Sequence, residues 1–187
     1  MKYKTILLSL LLSSSAMTAD YKIDIEGMHA SILFKISHIG TSWLRGGFDK
    51  FEGSFSYDAE KPNDSKISIT VDTSSINSNH AERDKHIRGE DFLNTDKFSQ
   101  ATFISESFKF NTDNSGVVIG KFKLHGVEKT IEMAIKKVGE GKDPWGGYRV
   151  GFEGIMEIEL SDFGITRYIG KTSNVLELSM AIEGIRK

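Results

Sequence analysis

An all-β fold is what this sequence predicts: an extended, eight-stranded antiparallel barrel with a short helix inserted near one end. Three observations lead there. Apolar and polar residues alternate with a period of two over most of the chain, which gives each strand one apolar face. Glycine occurs 18 times and proline only twice, a balance that suits long, bent strands better than helices. Several alternating runs are long enough to twist and coil, and closure into a barrel removes the edges they would otherwise expose. A two-sheet sandwich also suits one-faced strands, but its strands are usually shorter.

The first residues read as a targeting signal. Lys2 and Lys4 are basic, residues 6–12 are apolar, and residues 13–19 carry small side chains suited to cleavage. Cleavage is expected after Ala19, with Ala16 as the alternative. The apolar run is far shorter than the ~20 residues that span a bilayer, so no membrane anchor is expected. The chain has no cysteine, which excludes a disulfide framework and a lipid-modified cysteine. Residues 1–19 are therefore assigned as a signal peptide and 20–187 as one domain. Without Lys2 and Lys4 the domain has 26 acids facing 22 bases, net −4, and no basic block, so nucleic acid is not an expected partner.

Within the domain, residues 21–25 form a short strand. Residues 30–38 alternate strictly, with Ala30, Ile32, Phe34 and Ile36 on one face. Residues 40–47 read as a turn carrying Trp43. Residues 48–57 resume, placing Phe51, Gly53, Phe55 and Tyr57 together, and Pro62-Asn63-Asp64 turns the chain. Residues 66–72 set Ile67, Ile69 and Val71 against Ser68 and Thr70.

Residues 79–103 are the one long interruption. Asn79 with Glu82 three residues on reads as a capping box. The helix that follows, residues 80–86, is charged and lacks an apolar stripe, so it is expected on the surface or over an opening. Gly89 stops it, and Phe92, Leu93 and Phe98 return the chain to apolar surroundings. The next strand, 101–110, changes parity between Phe103 and Phe108, which predicts a bulge near Ser105. Residues 117–124 align Gly120, Phe122 and Leu124. His125-Gly126 turns into 130–138, which aligns Ile131, Met133 and Ile135. Residues 143–147 turn again, into the longest clean strand: Tyr148, Val150, Phe152, Gly154, Met156, Ile158 and Leu160 share one face. Residues 173–185 close the chain with Leu176, Leu178, Met180 and Ile182 on one face.

Strand parity nominates ten lumen-facing residues as ligand-lining: Ile32, Phe34, Ile36, Phe55, Phe103, Phe122, Phe152, Met156, Leu178 and Met180. Inward glycines and methionines suit a cavity, and equally suit strand curvature and gap filling. No charge is expected to point inward, so any ligand should be apolar, gaining roughly 0.8 kcal/mol per buried methylene.

Chemistry is sparse. His29, His38, His80, His86 and His125 lack metal-ligand spacing, and no nucleophile motif or phosphate-cradling loop is present. No catalytic residue, metal or cofactor is predicted. Arg83, Lys85, His86 and Arg88 around the helix read as a mixed-charge surface, or as a holder for a ligand's polar head at the barrel mouth.

Five blocks carry a resemblance: YKIDIEGMHASILFKISHIG (21–40), SWLRGGFDKFEGSF (42–55), NHAERDKHIRGEDFLNTDKFSQATF (79–103), HGVEKT (125–130) and DPWGGYRVGFEG (143–154). Together and in this order they resemble the YceI-like family of secreted bacterial proteins. The turns at Ile39-Gly40-Thr41 and Arg45-Gly46-Gly47 depart from it, and the chain from Ser161 onward is less similar. The resemblance implies a lipocalin-like barrel, a periplasmic location, and binding of a long isoprenoid in the lumen without catalysis. The expected function is therefore a periplasmic lipid-binding protein holding a quinone, a quinone precursor or a polyprenyl lipid. An enzyme acting on such a lipid, or a stress-related interaction protein with a filled barrel, are the alternatives. Pairing into a homodimer is left open.

Overall fold

The computed structural model describes residues 18–167 and 171–187; the expected signal peptide lies almost wholly outside them. The elements are β1 (Ala19–Ile23), β2 (Ser31–His38), β3 (Ser42–Phe48), β4 (Phe51–Tyr57), β5 (Lys66–Asp72), β6 (Ile76–Asn77), α1 (Ala81–Arg88), β7 (Gln100–Phe110), β8 (Ser115–Leu124), β9 (Val127–Lys142), β10 (Tyr148–Glu159) and β11 (Val175–Arg186). All strand pairs are antiparallel, in the order β1-β4-β5-β7-β8-β9-β10-β11-β2-β3-β6.

Closure comes from β11. One edge pairs along its whole length with β10, from Val175↔Glu159 to Ile185↔Arg149. The other edge is shared: β2 takes Leu176 to Ala181, and β1 takes Gly184 to Arg186. β1 and β2 are thus two halves of one stave interrupted by the loop 24–30. β4 and β3 are likewise halves of a second stave, since β1 pairs with β4 and β2 with β3. β5 and β6 make a third, pairing with β4 and β3 respectively. With β7 to β11, eight staves close an antiparallel barrel.

Three inward glycines turn out to seat rings. A Cβ on Gly184 would lie 2.4 Å from the Phe55 ring, one on Gly46 2.6 Å from Phe34, and one on Gly120 2.7 Å from Phe103. Each missing side chain is replaced by an aromatic from another stave, so these glycines raise packing density rather than open a void. The bulge expected near Ser105 is there, between Ser105 and Ser107, and the Ser105 hydroxyl accepts the Ile67 N–H at 2.9 Å.

Two expectations need correction. Residues 42–48 are strand β3 rather than a turn, because Gly46 leaves room for Phe34 and the strand can pair fully with β2. The helix begins one residue later than a capping box at Asn79 requires. Asn79 has φ +61°, and His80 is the N-cap, its Nδ1 accepting the Arg83 N–H at 3.2 Å.

Outside the barrel, Arg149 ties the interrupted stave down. Its guanidinium donates to Asp24 (2.6 Å), Glu183 (2.6 Å) and Asp143 (2.8 Å), and His29 Nδ1 lies 2.9 Å from Asp24. Ligand atoms of Asp24, His29 and Glu183 converge as a metal site's would, but the guanidinium already stands against both carboxylates. The bonds from His29 and then Arg149 hold the Asp24 carboxyl at about 2, below its ordinary 3.8. Because the folded value is depressed, this stabilisation is complete above about pH 4 and lost as pH falls through 2. The shift corresponds to roughly 2 kcal/mol, and water at half-exposed His29 screens it to about 1 kcal/mol. We predict that Asp24→Asn lowers stability by about 1 kcal/mol at pH 7 and flattens the acid limb between pH 4 and 2, as read from denaturant midpoints across pH. An unchanged acid limb would remove the tie.

Candidate functional site

The inward faces of the eight staves form one apolar lumen, divided into two compartments in line. All ten nominated residues face it. Ile32, Phe34, Phe55, Phe103, Phe122, Met156, Leu178 and Met180 are buried, and Ile36 and Phe152 are partly buried against the core.

The compartment under α1 is a cavity of about 290 Å³. Phe34 and Ile36 of β2, Leu44 and Phe48 of β3, Ile76, Leu160 and Leu176 supply its walls. Ile87, Phe92 and Leu93 close it from the helix side, so the polar helix contributes one apolar side chain inward and the aromatics after it complete the lid. The few polar groups on this cavity, Ser37, His38, Arg83, His86 and Ser173, belong to its rim. The second compartment, about 50 Å³, lies towards the other end, where Phe55, Phe103, Phe152 and Met180 meet Ile69, Phe108, Phe110 and Met133. Phe55, Tyr57 and Phe110 all pack on Phe152, with ring centroids 5.3–6.2 Å away.

Between the compartments stands a waist of close-packed side chains. Ile32, Phe122, Met156 and Leu178 sit there with Val71 and Ile158, buried yet lining neither cavity. Parity identified the inward face correctly but could not separate residues that border space from residues that fill it. The sequence reading also missed the lid residues Ile87, Phe92 and Leu93 as site residues. Their signal was present, as the only large apolar side chains between Asn79 and Asp96.

The far end is closed by polar groups, against the expectation that no charge points inward. Lys137 follows Ile131, Met133 and Ile135 on the inward face of β9 and pairs opposite Phe152. Its ammonium donates to the Tyr57 hydroxyl (3.1 Å) and to Glu140 (2.8 Å). Burial pulls its pKa down, but the Glu140 and Tyr57 bonds outweigh that and leave it raised, so the group stays charged. Arg186 stacks over the Tyr148 ring at 4.6 Å, and burial followed by the Glu140 charge raises the Tyr148 pKa. One end of the lumen is an ionic floor and the other an apolar lid.

The lid's charges serve structure. Asp84 is buried; its carboxylate accepts from the Ser78 hydroxyl and from the Ser78 N–H at 2.9 Å. Burial alone would push Asp84 up, yet the Ser78 bonds hold it below its ordinary value. Arg83 donates from Nε to the Ser78 hydroxyl (2.7 Å) and from Nη2 to the Ser78 carbonyl (2.6 Å). Arg88 reaches the Ser74 and Ile76 carbonyls at 3.4 and 3.3 Å. Of the basic cluster, Arg83 and Arg88 are thus engaged in fastening α1 to residues 74–78. His86 lies on Phe92, ring centroids 5.1 Å apart.

The family model for the YceI-like domain matches residues 21–184. The chain belongs to the YceI-like family. A UPF0312 protein of Ectopseudomonas mendocina is 52% identical over 179 residues, 96% of this chain and 94% of the relative. The crystal structure of Burkholderia cenocepacia BcnA superposes with TM-score 0.75 at 18% identity, covering 86% of this chain and 98% of that one. A polyisoprenoid-binding domain from Saccharophagus degradans, implicated in plant cell wall breakdown, gives TM-score 0.65 at 14% identity over 91% of this YceI-like chain and 100% of the domain. These last two likenesses carry the barrel fold. No described helix is long and apolar enough to cross a membrane.

Asp84 decides whether the lid stays seated. Replacing it by alanine leaves Ser78 without its acceptor and is expected to cost about 2 kcal/mol. The measurement is amide hydrogen exchange: protection should fall over residues 81–88 well before it falls in β10 and β11. Uniform loss along the chain would mean that α1 is not a separately released lid.

Proposed function

We propose that this chain is a lipid-binding protein that holds a long isoprenoid in its lumen, with a quinone, a quinone precursor or a polyprenyl lipid as the ligand. The observation that carries it is the pair of apolar compartments aligned along one barrel axis, closed at one end by Lys137 and Glu140 and covered at the other by α1. A chain of repeated apolar units fits such a lumen because burial alone binds it, at roughly 0.8 kcal/mol per methylene. The Saccharophagus degradans likeness supports the same ligand class. The described lumen offers no pairing of nucleophile with base, which favours binding over catalysis.

In this reading the waist moves. Met156 in the waist and Met180 at the edge of the second compartment have flexible, unbranched side chains, and their rotation joins the two compartments. A polar head then remains at the rim beside His38 and His86. The N-terminal basic and apolar segment supports a periplasmic location in the same reading. The filled waist also favours a second reading, a barrel with no chain-length cavity that works through a protein partner.

The first experiment is mass spectrometry of an organic extract from protein purified without detergent. A stoichiometric isoprenoid is expected. Extracted protein given a quinone at about a hundred times its Kd should gain ~2.7 kcal/mol and melt roughly 5–10 °C higher. Ile36→Lys, which places an ammonium at the wall of the α1 compartment, should fold and lose at least about tenfold in uptake. An empty extract with no melting shift on adding quinone would leave the filled-barrel reading.

A further inference from the structure

The β2–β3 hairpin turns at Ile39 and Gly40, whose φ angles are +49° and +77°. The Thr41 N–H donates to the His38 carbonyl at 3.0 Å and closes the turn. Two successive positive φ values belong to a type I′ turn, in which asparagine, aspartate or glycine takes the first position. A β-branched residue there is strained, and strain of this kind is kept at places that have a task. The β8–β9 hairpin shows what a structural task looks like. His125 and Gly126 turn there with φ +51° and +79°, and the imidazole is docked on the Phe98 ring at 4.4 Å and the Phe163 carbonyl at 3.0 Å. Ile39 instead projects outward, 50% exposed, and Trp43 four residues on is 57% exposed.

The tip stands at the entrance of the lumen. Ser37, His38 and Leu44, on either side of it, line the compartment under α1. Lys35, its ammonium paired with Glu177 at 2.5 Å, lies 4.9 Å over the Trp43 ring, and the exposed Arg45 and Lys171 lie close by in β3 and in the segment facing Gly40. An indole and an aliphatic group flanked by cations is the composition that settles at a membrane–water interface. We propose that the Ile39–Trp43 tip docks the open end of the barrel onto a phospholipid surface, so that an apolar chain passes between bilayer and lumen without crossing water. This rests on the lipid-binding reading and adds where and how the ligand enters. Met28 and Trp145 are also exposed apolar groups, at 86% and 79%. They belong to the loops that Arg149 ties together, on the side of the ionic floor, where Lys137 is bonded to Tyr57 and Glu140.

The two tryptophans of the chain therefore sit towards opposite ends and report on opposite orientations. Trp145→Phe leaves Trp43 as sole reporter, and Trp43→Phe leaves Trp145. Each variant, stripped of bound lipid, is mixed with vesicles of phosphatidylethanolamine and phosphatidylglycerol, and with phosphatidylcholine vesicles, containing brominated acyl chains and no isoprenoid. The expected result is a blue shift and quenching for Trp43 with little change for Trp145. Ile39→Asn relaxes the turn, so it should raise Tm by roughly 2–4 °C while weakening vesicle binding about tenfold. Equal quenching of both tryptophans, quenching of Trp145 alone, or no vesicle binding would overturn the proposal. So would a self-association that buries Trp43 and is abolished by Ile39→Asn. Each of these results leaves isoprenoid uptake from detergent solution unaffected, so failure here is distinct from failure of the lipid-binding reading.

Discussion

Everything in this barrel depends on how β11 fills its second edge. A twelve-residue strand paired on both sides needs a partner of equal length, and no single uninterrupted strand supplies one. β1 and β2 share that edge, and the interruption between them passes to the next staves, which break in the same place. The loop freed at 24–30 must then be held by something other than ladder hydrogen bonds. Arg149, on the neighbouring stave, binds Asp24 and Glu183 across that gap. The ion network is a consequence of closure. It stands where a barrel with an interrupted stave would otherwise open.

The same interruption makes the two halves of the lumen unlike. Around β1 and β4 the interior is aromatic: Tyr21 and Phe55 stack at 5.0 Å, and Phe152 gathers the rings beside it. Rings packed edge to face leave little space, and the compartment there is small. Around β2, β3 and β6 the walls mix aliphatic side chains with Phe34 and Phe48, the third stave has only a two-residue second half, and α1 must cover what the sheet leaves bare. A short, highly charged helix can do that because its fastening is local. Asp84, Arg83 and Arg88 bind the backbone and hydroxyl groups of residues 74–78, while Ile87 alone points to the lumen.

Much of this was legible in the sequence. Period-two alternation fixes which side chains face inward, so all ten nominated residues were on the correct face. The parity slip after Phe103 located the bulge. What alternation cannot show is occupancy along the barrel axis, because that depends on which side chains from eight staves reach the same level. Ile32, Phe122, Met156 and Leu178 converge on one level and fill it. Inward glycine was ambiguous for the same reason, since its vacancy is taken by a ring from another strand, as Phe34 does at Gly46, Phe103 at Gly120 and Phe55 at Gly184. Lys137 continues the inward parity of Ile131, Met133 and Ile135; what the sequence does not show is the Tyr57 hydroxyl, 80 residues away, that receives its ammonium inside. The role of Arg149 was not legible, because its partners at 24, 143 and 183 meet only after closure.

The asymmetry of the ends bears on how a ligand could enter at all. For the ligand proposed, entry through water is a kinetic problem, since each apolar unit exposed on the way in costs what it will later regain. Entry through the ionic floor would also require separating Lys137 from Glu140 and Tyr57. Entry under α1 requires only local release of a helix held by side-chain bonds, beside a rim whose neighbouring turn carries apolar groups in a strained conformation. Strain at Ile39 lowers stability without improving packing, and such a residue makes physical sense where its exposed face finds an apolar medium. In the proposed reading, release of α1 beside an apolar tip is what lets a chain leave the bilayer, pass the rim and reach the compartment without a hydrated intermediate. The elements that open are those held by local side-chain bonds rather than by the barrel ladder.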